Sequence, residues 1–226
     1  QHEGDAVIPA GQWLIGMPGE SQQYASDDFA FDNEKPRFIV KLDSFAISKC
    51  LVSNRQFMEF LEDGGYRRPD LWSFGGQKWL QTETDVALVH GSEEPLVRTP
   101  RHPLYWRWHD EQWQERVFDR WQPLNPDAPV THVTFWEAEA WCRWAGRRLP
   151  TEYEWEVAAL GNRPGEPFQR FPWGNSTPQA QLADLNGRAM AQNPVYDFPE
   201  GDSPFGCRQM TGTVWEWTSN QFLPYD

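Results

Sequence analysis

Few residues of this 226-residue chain have the type and spacing that chemistry requires. The histidines, His2, His90, His102, His109 and His132, include no pair four residues apart and no His-x-x-x-His-x-Glu cluster. A three-histidine iron site needs convergent imidazoles and open positions, and it has no evident home among them. Each His therefore reads as a surface or structural residue. His132, just ahead of an apolar helical pattern, is expected to be half-buried and hydrogen-bonded. Cys50, Cys142 and Cys207 are odd in number, widely spaced and without a C-x-x-C pair. That usage argues for a reducing, cytoplasmic compartment rather than a disulfide framework. Cys142 lies within an apolar helical stripe and reads as a small core residue. The carboxylate pairs Glu137/Glu139 and Glu154/Glu156 alternate around their helices, which makes them weak candidates for general acid–base work. The sequence contains no H-E-x-x-H, G-x-S-x-G, P-loop or G-x-G-x-x-G motif.

The elements that would position such residues are partly legible. Ser53/Gln56, Thr134/Glu137 and Thr151/Glu154 each form a capping box ahead of an apolar periodic run, so three helices are predicted. The first carries Phe57, Phe60 and Leu61 and stops near Gly64. The second carries Phe135, Ala138, Trp141, Cys142 and Ala145, stops at Gly146, and is apolar nearly all round, as a buried helix is. The third runs from Glu152 to Leu160 and ends at Gly161. Two short extended runs flank Pro9 to Gly11, a third covers Phe38 to Leu42, and Leu104 to Phe118 reads as a hairpin turning at His109 to Gln112. Between the first two helices, Gly64 to Val133 shows few helical patterns. After Gly161 the chain is rich in Pro, Gly and Asn, with Val214 to Thr218 as one late strand. No internal repeat or dividing boundary is evident.

Composition sets further limits. Trp, Phe and Tyr make up 15% of the residues, enough buried area to hold much irregular chain together. The formal net charge of −13 argues against nucleic acid and against an anionic membrane face. No apolar run approaches the roughly 20 residues of a bilayer-spanning helix. The start, Gln1 to Asp5, does not read as a signal peptide.

The run from Ala128 through Trp136, Trp141, Trp144 and Leu149 to Glu156 resembles the signature of the formylglycine-generating-enzyme-like (sulfatase-modifying factor) superfamily. So do Phe171-Pro172-Trp173-Gly174-Asn175 and the run from Gly206 to Thr218. The resemblance covers nearly the whole chain. It implies an α+β fold, distantly C-type-lectin-like and low in regular secondary structure. Phe29 to Pro36, Glu62 to Trp72, His102 to Arg107 and Gly206 to Met210 are similar to the sulfoxide synthases of ergothioneine biosynthesis. In those enzymes a DinB-like N-terminal domain with a three-histidine Fe(II) site precedes this domain. They join cysteine or γ-glutamylcysteine to hercynine using O2, while the similar selenoneine synthases use a selenosugar.

This resemblance implies that residues 1–226 are one domain, incomplete at the C-terminal end, with the iron ligands on a DinB-like domain outside the chain. Tyr225 is the best match to the family's proposed proton donor, a role that suits a phenol. Formylglycine-generating enzymes resemble a calcium scaffold at positions matching Gln209 (Asn in that family), the carbonyls of Gly212 and Val214, and the Glu216 carboxylate. Such an all-oxygen donor set suits structural Ca2+. Two other functions stay open. One is a copper-dependent formylglycine-generating oxidase, which would need a reactive Cys pair where Cys207 stands alone. The other is a non-catalytic lectin-like binding module.

Overall fold

A computed structural model of the chain describes residues 4–17, 30–31, 34–81, 102–185, 192–221 and 223. Its contacts group into two compact units, one of Gln1–Leu51 with Pro150–Asp226 and the other of Val52–Leu149. The architecture is α+β with small antiparallel sheets.

In the first unit the strands alternate inward and outward, as a half-buried sheet requires. β1 (Asp5–Ile8) buries Ala6 and Ile8, and β2 (Gly11–Ile15) buries Trp13 and Ile15. The two runs flanking Pro9 to Gly11 do not pair with each other. β1 pairs with β4 (Phe45–Ser48), setting Ile8 opposite Phe45, and β2 pairs with β3 (Phe38–Leu42), setting Trp13 opposite Val40. Val157, Ala158 and Ala159 of helix α4 (Glu152–Leu160) join these side chains, with Cys207 and Met210, in one core. The small residues of α4 allow it to lie close to the strands. Trp13 is closed in by the edge of Phe205 at 5.8 Å and by the Arg163 guanidinium at 4.0 Å.

Side-chain amides hold the irregular chain beyond α4. Buried Asn162 donates from Nδ2 to Gln169 O (2.9 Å) and accepts from Gln169 N (2.7 Å), so one side chain satisfies both backbone groups of that residue. Val214 to Thr218 forms no strand. Its β-branched and aromatic residues favour extension, but a strand needs a ladder, and no described strand pairs with it.

In the second unit, helices α1 (Asn54–Glu62) and α3 (Phe135–Trp144) begin at the expected capping boxes. Helix α2 (Phe74–Gln81) was not evident from the sequence, because Gly75 and Gly76 lower helix propensity. Gly75 is required by packing: a Cβ there would lie 2.4 Å from the Trp136 ring. The core is mostly aromatic. Phe60 meets Phe57, Tyr66, Trp72 and Trp144 with ring centroids 5.3 to 6.5 Å apart. The expected hairpin is present as β5 (Trp106–His109) and β6 (Gln112–Val117), and β7 (Arg120–Pro123) extends it to three strands. Its turn residues Asp110 and Glu111 both have positive φ, 50° and 58°, as a primed two-residue turn demands. Cys142 is a core residue, and burial pushes its thiol up to about 11.

Candidate functional site

The site residues expected within the described chain lie on the irregular segment from Cys207 to Asn220 in the first unit. Its base is fixed by buried groups. Arg208 donates from Nε and Nη2 to both oxygens of Asp202, each at 2.7 Å, and from Nη1 to Tyr196 O. The hydrogen bonds it donates to Asp202 hold the Arg208 guanidinium above its ordinary range. Arg208 N donates to Lys49 O at 2.6 Å, which ties the segment to the chain after β4. Cys207 N donates to Ser203 Oγ at 3.1 Å. The Cys207 thiol is fully buried, and desolvation pushes it up to about 11, so it is a poor thiolate nucleophile.

From that base the chain turns sharply. Gln209 and Thr213 both adopt left-handed φ, 55° and 56°. Gly212, at φ 87°, passes so close to Asp184 that a Cβ would lie 2.3 Å from its carbonyl oxygen. That carbonyl accepts from Thr213 N at 3.1 Å. Buried Gln209 is used at both ends: Nε2 donates to Pro194 O (2.8 Å) and Oε1 accepts from Thr213 Oγ1 (2.6 Å). Asn193 Nδ2 donates to the Asp184 carboxylate at 2.9 Å. Asp184, Asn193 and Thr213 are thus part of the loop architecture, although no local pattern in the sequence marks them.

Beyond Thr213, Trp215 is fully exposed and Trp217 about half exposed. Glu216 between them is exposed as a residue, while desolvation of its carboxyl governs its titration. Burial pushes that carboxyl up to about 7, and a weaker opposing pull comes from the Trp155 indole N–H. The contact falls short of hydrogen-bond geometry, since Trp155 Nε1 is buried without a partner. The segment ends against α4, where Ser219 N donates to Pro150 O and Asn220 Oδ1 accepts from Glu152 N, both at 2.8 Å.

The oxygen donors that calcium requires are present here, but they fit only in part. Gln209 Oε1 already accepts from Thr213, which leaves it one lone pair. Among the described residues, no three His, Cys, Asp or Glu side chains converge to hold a metal ion, so these residues do not fit an iron centre. Tyr225 lies outside the described residues. The carboxylate pairs are structural: Glu137 and Glu154 complete caps, Glu139 pairs with Arg143, and Glu156 accepts from Gly16 N at 2.7 Å. His132 departs from expectation. It is exposed, at φ 57°, and held by edge-on contact with Tyr105 at 4.9 Å. Desolvation lowers its pKa, against an opposing pull from Glu115.

The sequence pattern of the sulfatase-modifying factor enzyme 1-like domain family matches residues 1–226. The chain belongs to that family. Its members include a protein of Mycolicibacterium smegmatis named hercynine oxygenase, 37% identical over 219 residues, covering 97% of this chain and 46% of that protein. A Mycobacterium tuberculosis protein of the same name is 34% identical over 201 residues, covering 89% of this chain and 43% of that protein. The formylglycine-generating enzyme of Thermomonospora curvata is 34% identical over 235 residues, covering 96% of this chain and 71% of that enzyme. The chain thus spans less than half the length of the hercynine oxygenases it matches.

Proposed function

We propose that this chain is the sulfatase-modifying-factor-like domain of a cytoplasmic, O2-dependent sulfoxide synthase that joins cysteine or γ-glutamylcysteine to hercynine. The observation that carries this reading is the 37% identity to a hercynine oxygenase across 97% of the chain. Fe(II), which activates O2 in such enzymes, would be held by a DinB-like domain. In this reading Tyr225 Oη supplies a proton during the oxygen chemistry.

A structural Ca2+ bound through Gln209, Gly212, Val214 and Glu216 belongs to the same proposal. Selenoneine synthesis from a selenosugar is the same reading with another chalcogen donor. The formylglycine-generating alternative draws support from the Thermomonospora relative. The buried Cys207, with its thiol raised to about 11, is ill suited to the reactive Cys pair that chemistry needs.

The test is O2 uptake and product mass measured on the full-length protein with Fe(II) and hercynine, run separately with cysteine, γ-glutamylcysteine and a selenosugar. Hercynine-dependent O2 consumption with one donor and a C–S or C–Se product is expected. Tyr225→Phe should lower turnover at least about tenfold, the lower end of what a general acid supplies. Hercynine binding without O2 uptake under any donor would move the chain to the binding-module reading.

A further inference from the structure

We propose that the β5–β7 sheet, on the face turned away from the aromatic core, is a docking surface for an acidic polypeptide segment received by Arg107, Arg116 and Trp121. The register defines the two faces. Trp106 lies opposite Glu115 and Trp108 opposite Trp113, and that face meets the core through buried Trp106 and partly buried Trp113. Arg107 lies opposite Gln114, Gln114 opposite Pro123, and Arg116 opposite Trp121, so these five side chains share the other face.

The cations on this face are held in place without being neutralised. Arg107 donates from Nε (2.9 Å) and Nη2 (2.7 Å) to the neutral Gln114 Oε1, and its guanidinium lies 4.2 Å over the Trp121 ring. Of the five guanidinium N–H groups, three remain for a ligand. Arg116 donates from Nε to the Phe118 carbonyl at 3.0 Å. Neither arginine is ion-paired among the described residues. Of the two carboxylates at the sheet's turn, Asp110 pairs with His109 at 3.0 Å, and Glu111 follows it at the next turn position.

Acidic residues outnumber basic ones 33 to 20 in this chain, yet neighbouring rungs of one sheet face carry two arginines with no counter-charge. Like charges so placed repel, and a bound carboxylate would relieve that cost. Arg107, already oriented by Gln114 and Trp121, would lose little freedom on binding. Two spaced guanidinium groups beside a Trp that is 37% exposed match a peptide with spaced carboxylates and an apolar side chain. They match nucleic acid poorly, because its affinity comes from many phosphate contacts and a net charge of −13 opposes it.

The proposal is independent of the catalytic reading and is tested by fluorescence polarisation on the full-length protein. The probes are a labelled peptide of alternating Glu and Phe, the same peptide with Gln in place of Glu, and a single-stranded oligonucleotide of equal charge. The acidic peptide should bind, weaken with salt, and lose about tenfold in affinity in the Arg107→Gln/Arg116→Gln double variant. Arg120→Gln, on the opposite face, should change affinity less than about twofold. The proposal is overturned by any of four results: no peptide binding, an unchanged double variant, an equal loss in Arg120→Gln, or tighter binding of the oligonucleotide. Near-UV circular dichroism establishes that each variant is folded.

Discussion

In Val52–Leu149 the core is made of rings whose polar atoms are anchored to backbone or carboxylate acceptors. Trp72 Nε1 donates to Gly65 O (2.9 Å), Trp141 Nε1 to Gln56 O (3.2 Å) and Trp144 Nε1 to Asp63 Oδ2 (2.8 Å). In the unit of Gln1–Leu51 and Pro150–Asp226, mostly aliphatic side chains around Trp13, from paired strands and α4, form the core, and the long irregular segments are tied down by Asn162, Gln209 and Arg208. Both devices satisfy buried polar groups without ladders. They fail differently. A ring touches several elements at once, so removing one should loosen the whole cluster. A polar tie holds one loop, so removing it should free that loop and leave the strand core standing.

The strongest test of that contrast is Phe60→Ala. Phe60 is fully buried against four other rings, and its loss should destabilise the protein by about 3–5 kcal/mol, read by chemical denaturation. A loss below about 1 kcal/mol would show that the rings repack, and the contrast would collapse. Next comes Arg208→Met, which leaves Asp202 and the Tyr196 carbonyl without their donor. Breaking a buried pair costs about 3–5 kcal/mol, but Asp202 is partly exposed, so about 2–3 kcal/mol is expected. Hydrogen exchange should accelerate around residues 194–213 and stay unchanged in β1 to β4. Uniform acceleration across those strands would contradict a local role.

The same contrast explains what could be read from sequence. The three capping boxes were legible because cap and partner lie three residues apart, and all three are present with both reciprocal bonds. The hairpin was legible for the same local reason. Helix α2 was not, since its Gly75 is explained by the ring of Trp136, far away in sequence. Nor could the pairing of β1 with β4 and β2 with β3 be read, because their partners are non-local. Val214 to Thr218 had the residues of a strand, but composition does not supply a ladder partner. Resemblance alone drew attention to Gln209 and Glu216. Gln209 is held by Thr213 and Pro194, and Trp155 lies near Glu216, and no periodicity connects these residues.

Two similar caps allow a finer comparison. Glu137 and Glu154 each accept from their N-cap amide, at 2.7 and 2.8 Å, but Glu137 Oε1 also accepts from Tyr66 Oη at 2.5 Å. Thr134→Ala and Thr151→Ala should each cost about 1 kcal/mol, the ordinary worth of an N-cap. Glu137→Gln should cost about 1 kcal/mol more than Glu154→Gln, because it also weakens a charge-assisted bond to the aromatic cluster. Thermal melts of the four variants give the ordering. Equal losses for the two Gln variants would mean that the Tyr66 bond adds nothing.

The smallest effect is expected at Glu216, and its sign is what matters. The carboxyl is raised from an ordinary value of 4.5 to about 7 in the folded chain. Between those two pH values the folded state holds more protons than the unfolded one, so stability falls as pH rises through the window and levels off above it. Glu216→Gln removes the titrating group and should flatten this decline. The residue as a whole is exposed, so solvent screens the effect and the difference should be no more than about 1 kcal/mol. The measurement is the difference in unfolding free energy between wild type and Glu216→Gln at pH 5 and pH 8, each with and without Ca2+. If calcium binds at Glu216, added Ca2+ should stabilise the wild type at pH 8, where the carboxyl is ionised, and leave Glu216→Gln unmoved. A wild type gaining stability from pH 5 to pH 8 relative to Glu216→Gln without calcium would place the carboxyl in contact with a cation that the surroundings described here do not provide.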